Sequence, residues 1–198
     1  MAEITATLVK ELRERTGVGM MECKKALSET GGDLEKAAEH LRKMGAAQAA
    51  KKADRATRDG LVESYIHPGG RLGVLIEVNC ETDFVARTDD FKLLVHNLAM
   101  HVAAARPQWV RREDVPAEIL DKEREIYREQ MVREGKPANI MDKIVDGKIN
   151  KFYEETCLLE QPYIRDPDRK VNQVVQDAVG KIGENIQVRR FGRFELGA

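Results

Sequence analysis

Side chains able to ligate a metal or attack a bond form few recognisable constellations along these 198 residues. Asp83, Asp89 and Asp90 lie close enough in sequence to suggest a magnesium site, but aspartate at a helix start usually caps it and complements its dipole, and capping is the favoured reading. The four histidines, His40, His67, His96 and His101, form no H-E-x-x-H pair. Positions 96 and 101 fall about 140° apart on a helix of 3.6 residues per turn, so they cannot chelate one ion from the same face. Cys23, Cys80 and Cys157 are odd in number and contain no C-x-x-C, which predicts reduced, packed thiols. There is no phosphate-cradling G-x-x-x-x-G-K-[ST] loop and no G-x-S-x-G elbow. Thr16-Gly17-Val18-Gly19-Met20 carries only two of the three glycines of a dinucleotide fingerprint and follows a helical pattern, so it reads as a tight turn. The expectation is a protein without catalytic residues, metal ligands or a cofactor site of its own.

One stretch stands out, Glu77-Val78-Asn79-Cys80-Glu81-Thr82-Asp83-Phe84-Val85-Ala86-Arg87. An apolar strand pattern ends there and a helical one begins, so Asp83 and Phe84 stand at a rigid corner from which side chains can protrude. An isolated phenylalanine more often packs inward, and on local grounds alone that alternative carries more weight.

The elements that hold this corner follow from periodicity. Residues 1–43 read as three short helices: Ile4, Leu8 and Leu12; then Met20, Met21, Cys23, Lys24 and Leu27; then Leu34, Ala37, Ala38 and Leu41, with Asp33 as N-cap. Residues 44–60 form a linker whose surroundings, from Lys43 to Arg58, hold five basic side chains and one acid, Asp54. It is either a solvated helix or a strip that steers toward an acidic partner. Residues 61–198 make an α+β core. It opens with a hairpin, Leu61–Ile66 and Arg71–Asn79 around His67-Pro68-Gly69-Gly70, followed by a helix with Phe91, Leu94, Val95, Leu98 and Val102 on one face. A helical hairpin at about 116–155 turns at Gly135-Lys136-Pro137, and its two narrow apolar stripes suit a projecting arm. A last strand, 186–196, shifts its apolar parity, which predicts a bulge near Phe191 and Gly192.

A net charge of −1 disfavours a large nucleic-acid surface. No run approaches the roughly 20 apolar residues of a membrane span, and the start lacks the pattern of a secretory signal, so a cytoplasmic location is expected.

The stretch from Leu12 to Leu27, LRERTGVGMMECKKAL, resembles the N-terminal signature of the bacterial elongation factor Ts family. Asn79 to Arg87 is similar to that family's second signature, and Lys181-Ile182-Gly183-Glu184-Asn185-Ile186 with Val188-Arg189-Arg190-Phe191 to a third. The resemblance spans nearly the whole chain. It implies guanine-nucleotide exchange on elongation factor Tu in translation elongation. The implied fold has an N-terminal three-helix, UBA-like module, a small antiparallel sheet of about three strands packed with helices, and a projecting helical hairpin.

By the same resemblance, Thr82, Asp83, Phe84 and Val85 would dislodge the partner's Mg²⁺. Met20 and Met21 would hold its GTP-binding domain, with Lys24, Lys51 and Lys52 as further contacts. Met on a short helix is otherwise usually core, so one of the two is expected to be buried. Longer family members have a core of two related halves. A single small sheet therefore implies a homodimer, built from residues 61–79 and 185–196 and the Leu94 to Val102 helix face. No direct nucleotide, nucleic-acid or membrane partner is expected. The competing class is a helical adapter, which would bind without releasing nucleotide and would leave the corner without a role.

Overall fold

The computed structural model describes residues 4–197. Helix α1 (Ala6–Thr16) begins at Thr5, whose hydroxyl accepts from the Leu8 amide, and ends at Gly17 in the left-handed conformation, with φ 70°. That angle suits glycine and fixes the tight turn expected at Thr16 to Met20. Helix α2 (Met20–Glu29) and helix α3 (Leu34–Lys52) follow, and Asp33 caps α3 by accepting from the Lys36 amide at 3.0 Å. The three helices close over Val9, Leu12, Cys23, Ala26, Leu27, Ala37 and Leu41, with Ile4, Leu8, Val18, Leu34 and Ala38 packed at the margin. The i, i+3/i+4 spacing of these residues is what lets three short helices share one core.

Helix α3 continues without a break at residue 43 as far as Lys52, into the stretch read as either a solvated helix or a basic strip. Ala49 is buried, and a Cβ on Gly180 would lie 3.1 Å from the Gly45 Cα. The small residues of this segment therefore serve close backbone approach, which a bulky stripe would prevent.

Strand β1 (Asp59–Ile66) and strand β2 (Leu72–Cys80) form the expected hairpin, closed by His67 N donating to Leu72 O at 2.9 Å. Val74, Ile76, Val78 and Cys80 face inward in strict alternation. The helical segment that follows is two helices: α4 (Asp83–Ala86) is a single turn, and α5 (Asp89–Ala105) starts afresh after Thr88, whose hydroxyl accepts from the Phe91 amide. On α5, Leu94, Val95, Leu98 and Val102 are buried within the chain itself, so this face is not offered to a second copy.

Helix α6 (Ala117–Arg133) and helix α7 (Ala138–Thr156) make the helical hairpin, with Met131, Val145 and Ile149 buried. A short ladder of β3 (Pro162–Tyr163) and β4 (Asp166–Lys170) precedes helix α8 (Val171–Ile182), neither of which the sequence reading supplied. Strand β5 (Gln187–Glu195) completes an antiparallel three-stranded sheet in the order β1-β2-β5. Its inside–outside alternation breaks at Arg189 and Arg190, both exposed.

The chain divides into two compact units. The first comprises Met1–Val62, Glu77–Val95 and Gln173–Val188, and holds the three-helix core and the Glu81 to Phe84 corner. The second comprises Glu63–Ile76, His96–Asn172 and Arg189–Ala198, and holds the helical hairpin. Within the second unit, buried Gln161 donates to the carbonyls of Ala105 and Glu155 and meets His101 Nε2 at 3.0 Å. His101 Nδ1 accepts from Ile164 N at 3.3 Å. Every polar atom of that buried pair is thus satisfied, as burial requires.

Candidate partner-binding corner

Strand β2 delivers the chain to Cys80, where the Sγ donates to Thr82 O at 3.2 Å. Burial, helped by the nearby Glu184 carboxylate, pushes this thiol up to about 11, so it packs as a neutral group. Thr82 is the N-cap of α4, with its Oγ1 accepting from the Val85 amide at 3.4 Å. Because α4 then ends after one turn, Asp83 and Phe84 lie at the tip and only Ala86 is buried beneath them.

Phe84 is 78% exposed. The inward alternative is excluded: the largest apolar side chain of the corner points to solvent. Asp83 ion-pairs with Arg87 at 2.8 Å, one helical turn on, which ties its carboxylate to the end of the same turn. Val85 is half-buried.

A neighbour that sequence reasoning gave no role holds the corner. Glu184 Oε2 accepts from the amides of Glu81 and Thr82, both at 3.0 Å, while its Oε1 accepts from the Thr82 hydroxyl at 2.7 Å. In return, Asn185 N donates to Glu81 Oε1 at 2.7 Å. The Asn185 side chain, almost fully buried, donates to the carbonyls of Ala53 and Arg55 just beyond α3. The only sequence signal for this pair was their place in the Lys181 to Ile186 motif.

On the three-helix module, Met20 and Met21 are both exposed, at 51% and 78%. The expectation that one would be buried is wrong, because Cys23, Ala26 and Leu27 already fill the inner face of α2. Lys24 and Lys51 are exposed; Lys52 is half-buried and donates to Gly183 O at 2.7 Å. Around the basic linker, Lys43 pairs with Glu39 at 2.7 Å and Arg55 with Glu81 at 3.4 Å. Lys43, Lys52 and Arg55 are therefore engaged within the chain, which leaves less basic surface for steering than their number suggests. Among the described residues, no three His, Cys, Asp or Glu side chains come together where they could hold an ion.

The family model described as "Elongation factor TS" matches residues 3–198. The chain belongs to the elongation factor Ts family. Elongation factor Ts of Heliobacterium modesticaldum is 64% identical over 194 residues, covering 98% of this chain and 90% of that protein. The Moorella thermoacetica protein is 61% identical, covering 98% and 96%, and the Fervidobacterium nodosum protein 58%, covering 98% and 99%. As an elongation factor Ts, the chain is a translation elongation factor and not a catalytic enzyme. No helix among its described residues is long and apolar enough to cross a membrane.

Proposed function

We propose that this protein is the guanine-nucleotide exchange factor of elongation factor Tu, working in the cytoplasm. In this reading residues 1–43 grip the partner's GTP-binding domain, with Met20 and Met21 as adaptable apolar contacts. Lys24, Lys51 and Lys52 contribute charge, and residues 44–60 connect the grip to the core of residues 61–198. Thr82, Asp83, Phe84 and Val85 enter the partner near its Mg²⁺ and dislodge the ion. The observation that carries this reading is the solvent-exposed Phe84 on a one-turn helix whose backbone is latched from behind.

The mechanism requires binding alone. A GTPase holds its nucleotide by backbone amides around the phosphates and a bridging Mg²⁺, so losing the ion and distorting that loop removes much of the binding energy. A thousandfold faster release asks for about 4 kcal/mol, within reach of one anchored aromatic and its neighbours. By linkage, bound nucleotide weakens the factor's grip as much as the factor weakens the nucleotide's. Stopped-flow release of fluorescent GDP from elongation factor Tu tests this directly. Acceleration that saturates with this protein is expected, whereas tight binding without acceleration would favour the adapter class.

The same reading includes a homodimer. With the α5 face buried, the apolar side chains left for a second copy include Ile66, Leu75, Phe194 and Leu196 on the sheet strands and their C-terminal edge. Sedimentation showing only the 22.4 kDa monomer at tens of micromolar would overturn it.

A further inference from the structure

A helix of one turn does not hold itself. Nucleation fixes several dihedrals for a single hydrogen bond, so α4 needs external support to keep Phe84 aimed. That support converges on one carboxylate. A threonine hydroxyl has one proton, and Thr82 donates it to Glu184 Oε1 at 2.7 Å, which leaves an oxygen lone pair directed at the Val85 amide it caps. Glu184 Oε2 meanwhile fixes the two preceding amides, those of Glu81 and Thr82. The carboxylate therefore sets the path of the backbone into the helix and also the orientation of the cap. Hydrogen bonds to an ionised acceptor are the strong ones, so this hold is firmer than a water-mediated one. Asn185 extends the latch to the end of α3 through the carbonyls of Ala53 and Arg55.

We propose that Glu184 is a positioning residue for nucleotide release: through the Thr82 cap it fixes the direction in which Phe84 enters the partner, without touching the partner itself. The assignment rests on the exchange reading above. It makes a specific demand, that loss of Glu184 weakens the push and leaves the grip of the N-terminal helices in place.

The test uses the full chain and fluorescent GDP bound to elongation factor Tu, with wild type, Glu184→Ala and Glu184→Gln. Glu184→Ala is expected to lower the saturated release rate about tenfold or more, the equivalent of one charged hydrogen bond. The concentration for half-maximal release should stay within about twofold, since the tenfold loss acts in the transition state. Glu184→Gln keeps the side-chain volume and one acceptor oxygen and should fall between Ala and wild type. Amide hydrogen exchange at Thr82 and Val85 should quicken in the same order, a readout independent of the partner. Where Glu184→Ala does not fold, Thr82→Val replaces it: the valine should slow release less in the Glu184→Gln background than in wild type, because the two share the bond from the Thr82 hydroxyl to Glu184. A folded Glu184→Ala with the full saturated rate, a rise only in half-saturating concentration, or additive Thr82 and Glu184 effects overturns the assignment alone. No acceleration by wild type overturns the exchange reading, and the assignment with it.

Discussion

Phe84→Ala separates a wedge from a structural phenylalanine. A phenylalanine side chain offers about 150–250 Å² of surface. With 78% of Phe84 exposed, truncation removes only about 40 Å² of contact within the chain, which at about 25 cal/mol per Å² costs about 1 kcal/mol of stability. A core phenylalanine would cost about 3–5 kcal/mol. For a chain of this size, 1 kcal/mol lowers the melting temperature by about 2–4 °C. The exposed part, about 150 Å², is worth about 4 kcal/mol when buried in a partner, or several hundredfold in rate. The variant is therefore expected to melt almost normally and to lower the saturated rate of GDP release from elongation factor Tu by two orders of magnitude or more. Its affinity for nucleotide-free partner should change less, because the energy of insertion is used to drive out the ion. Stopped-flow release and thermal unfolding on the same preparation decide the matter. A stable variant with normal release refutes the reasoning, as does a loss that only tracks the unfolded fraction.

Met20→Ala and Met21→Ala should raise the concentration for half-maximal release while leaving the saturated rate close to wild type, measured in the same assay. Gly60→Ala should destabilise the chain by about 1–3 kcal/mol, read by urea unfolding. Its φ is 148° and a Cβ there would stand 2.2 Å from the Val78 carbonyl oxygen. Acidification should weaken the fold through His101: burial holds this imidazole below its ordinary value of 6.5 against the opposing Gln161 hydrogen bond. The unfolded chain then binds the proton more readily, so the His101 contribution is complete above pH 6.5 and is lost as pH falls below it. Thermal unfolding at pH 7.5 and 5.5 should show a drop that His101→Gln reduces.

Elements whose apolar residues repeat strongly were legible in the sequence. The three N-terminal helices and strand β2 each bury a periodic set, so their patterns carry the fold directly, whereas on α6 only Met131 is buried and Ile119 and Ile126 of its stripe stay exposed. The β3-β4 ladder had no such signal, because Asp166-Pro167-Asp168-Arg169-Lys170 is a polar strand. Helix α8 carries a short one, Val171, Val175 and Val179, all buried, directly after the charged stretch of β4. The stop at Arg87 was hidden because Thr88 both ends one turn and caps the next helix, and hydrophobic period cannot register a cap. At the corner, residue types pointed to Asp83 and Phe84 but not to what supports them. Glu184 lies about a hundred residues away along the chain, and its acceptance of backbone amides leaves no trace in the identity of the donors.

That support decides how such a corner can act at all. A wedge displaces an ion only if the partner's loop yields before the wedge's own mounting does. A lone turn at the end of a strand would yield first, since its opening costs little more than a hydrogen bond or two in water. In this chain, opening the turn means breaking the three bonds that Glu184 accepts and the reciprocal Asn185 to Glu81 bond. If the corner inserts as proposed, the strain of insertion would meet these bonds at the corner's base. The same support reaches the end of α3, whose following carbonyls at Ala53 and Arg55 receive the Asn185 amide. The helix that terminates there also contributes Ala37 and Leu41 to the three-helix core. In the proposed exchange reading, grip and push would share one mechanical frame within the first unit while resting on different side chains, which is why mutation should separate affinity from rate.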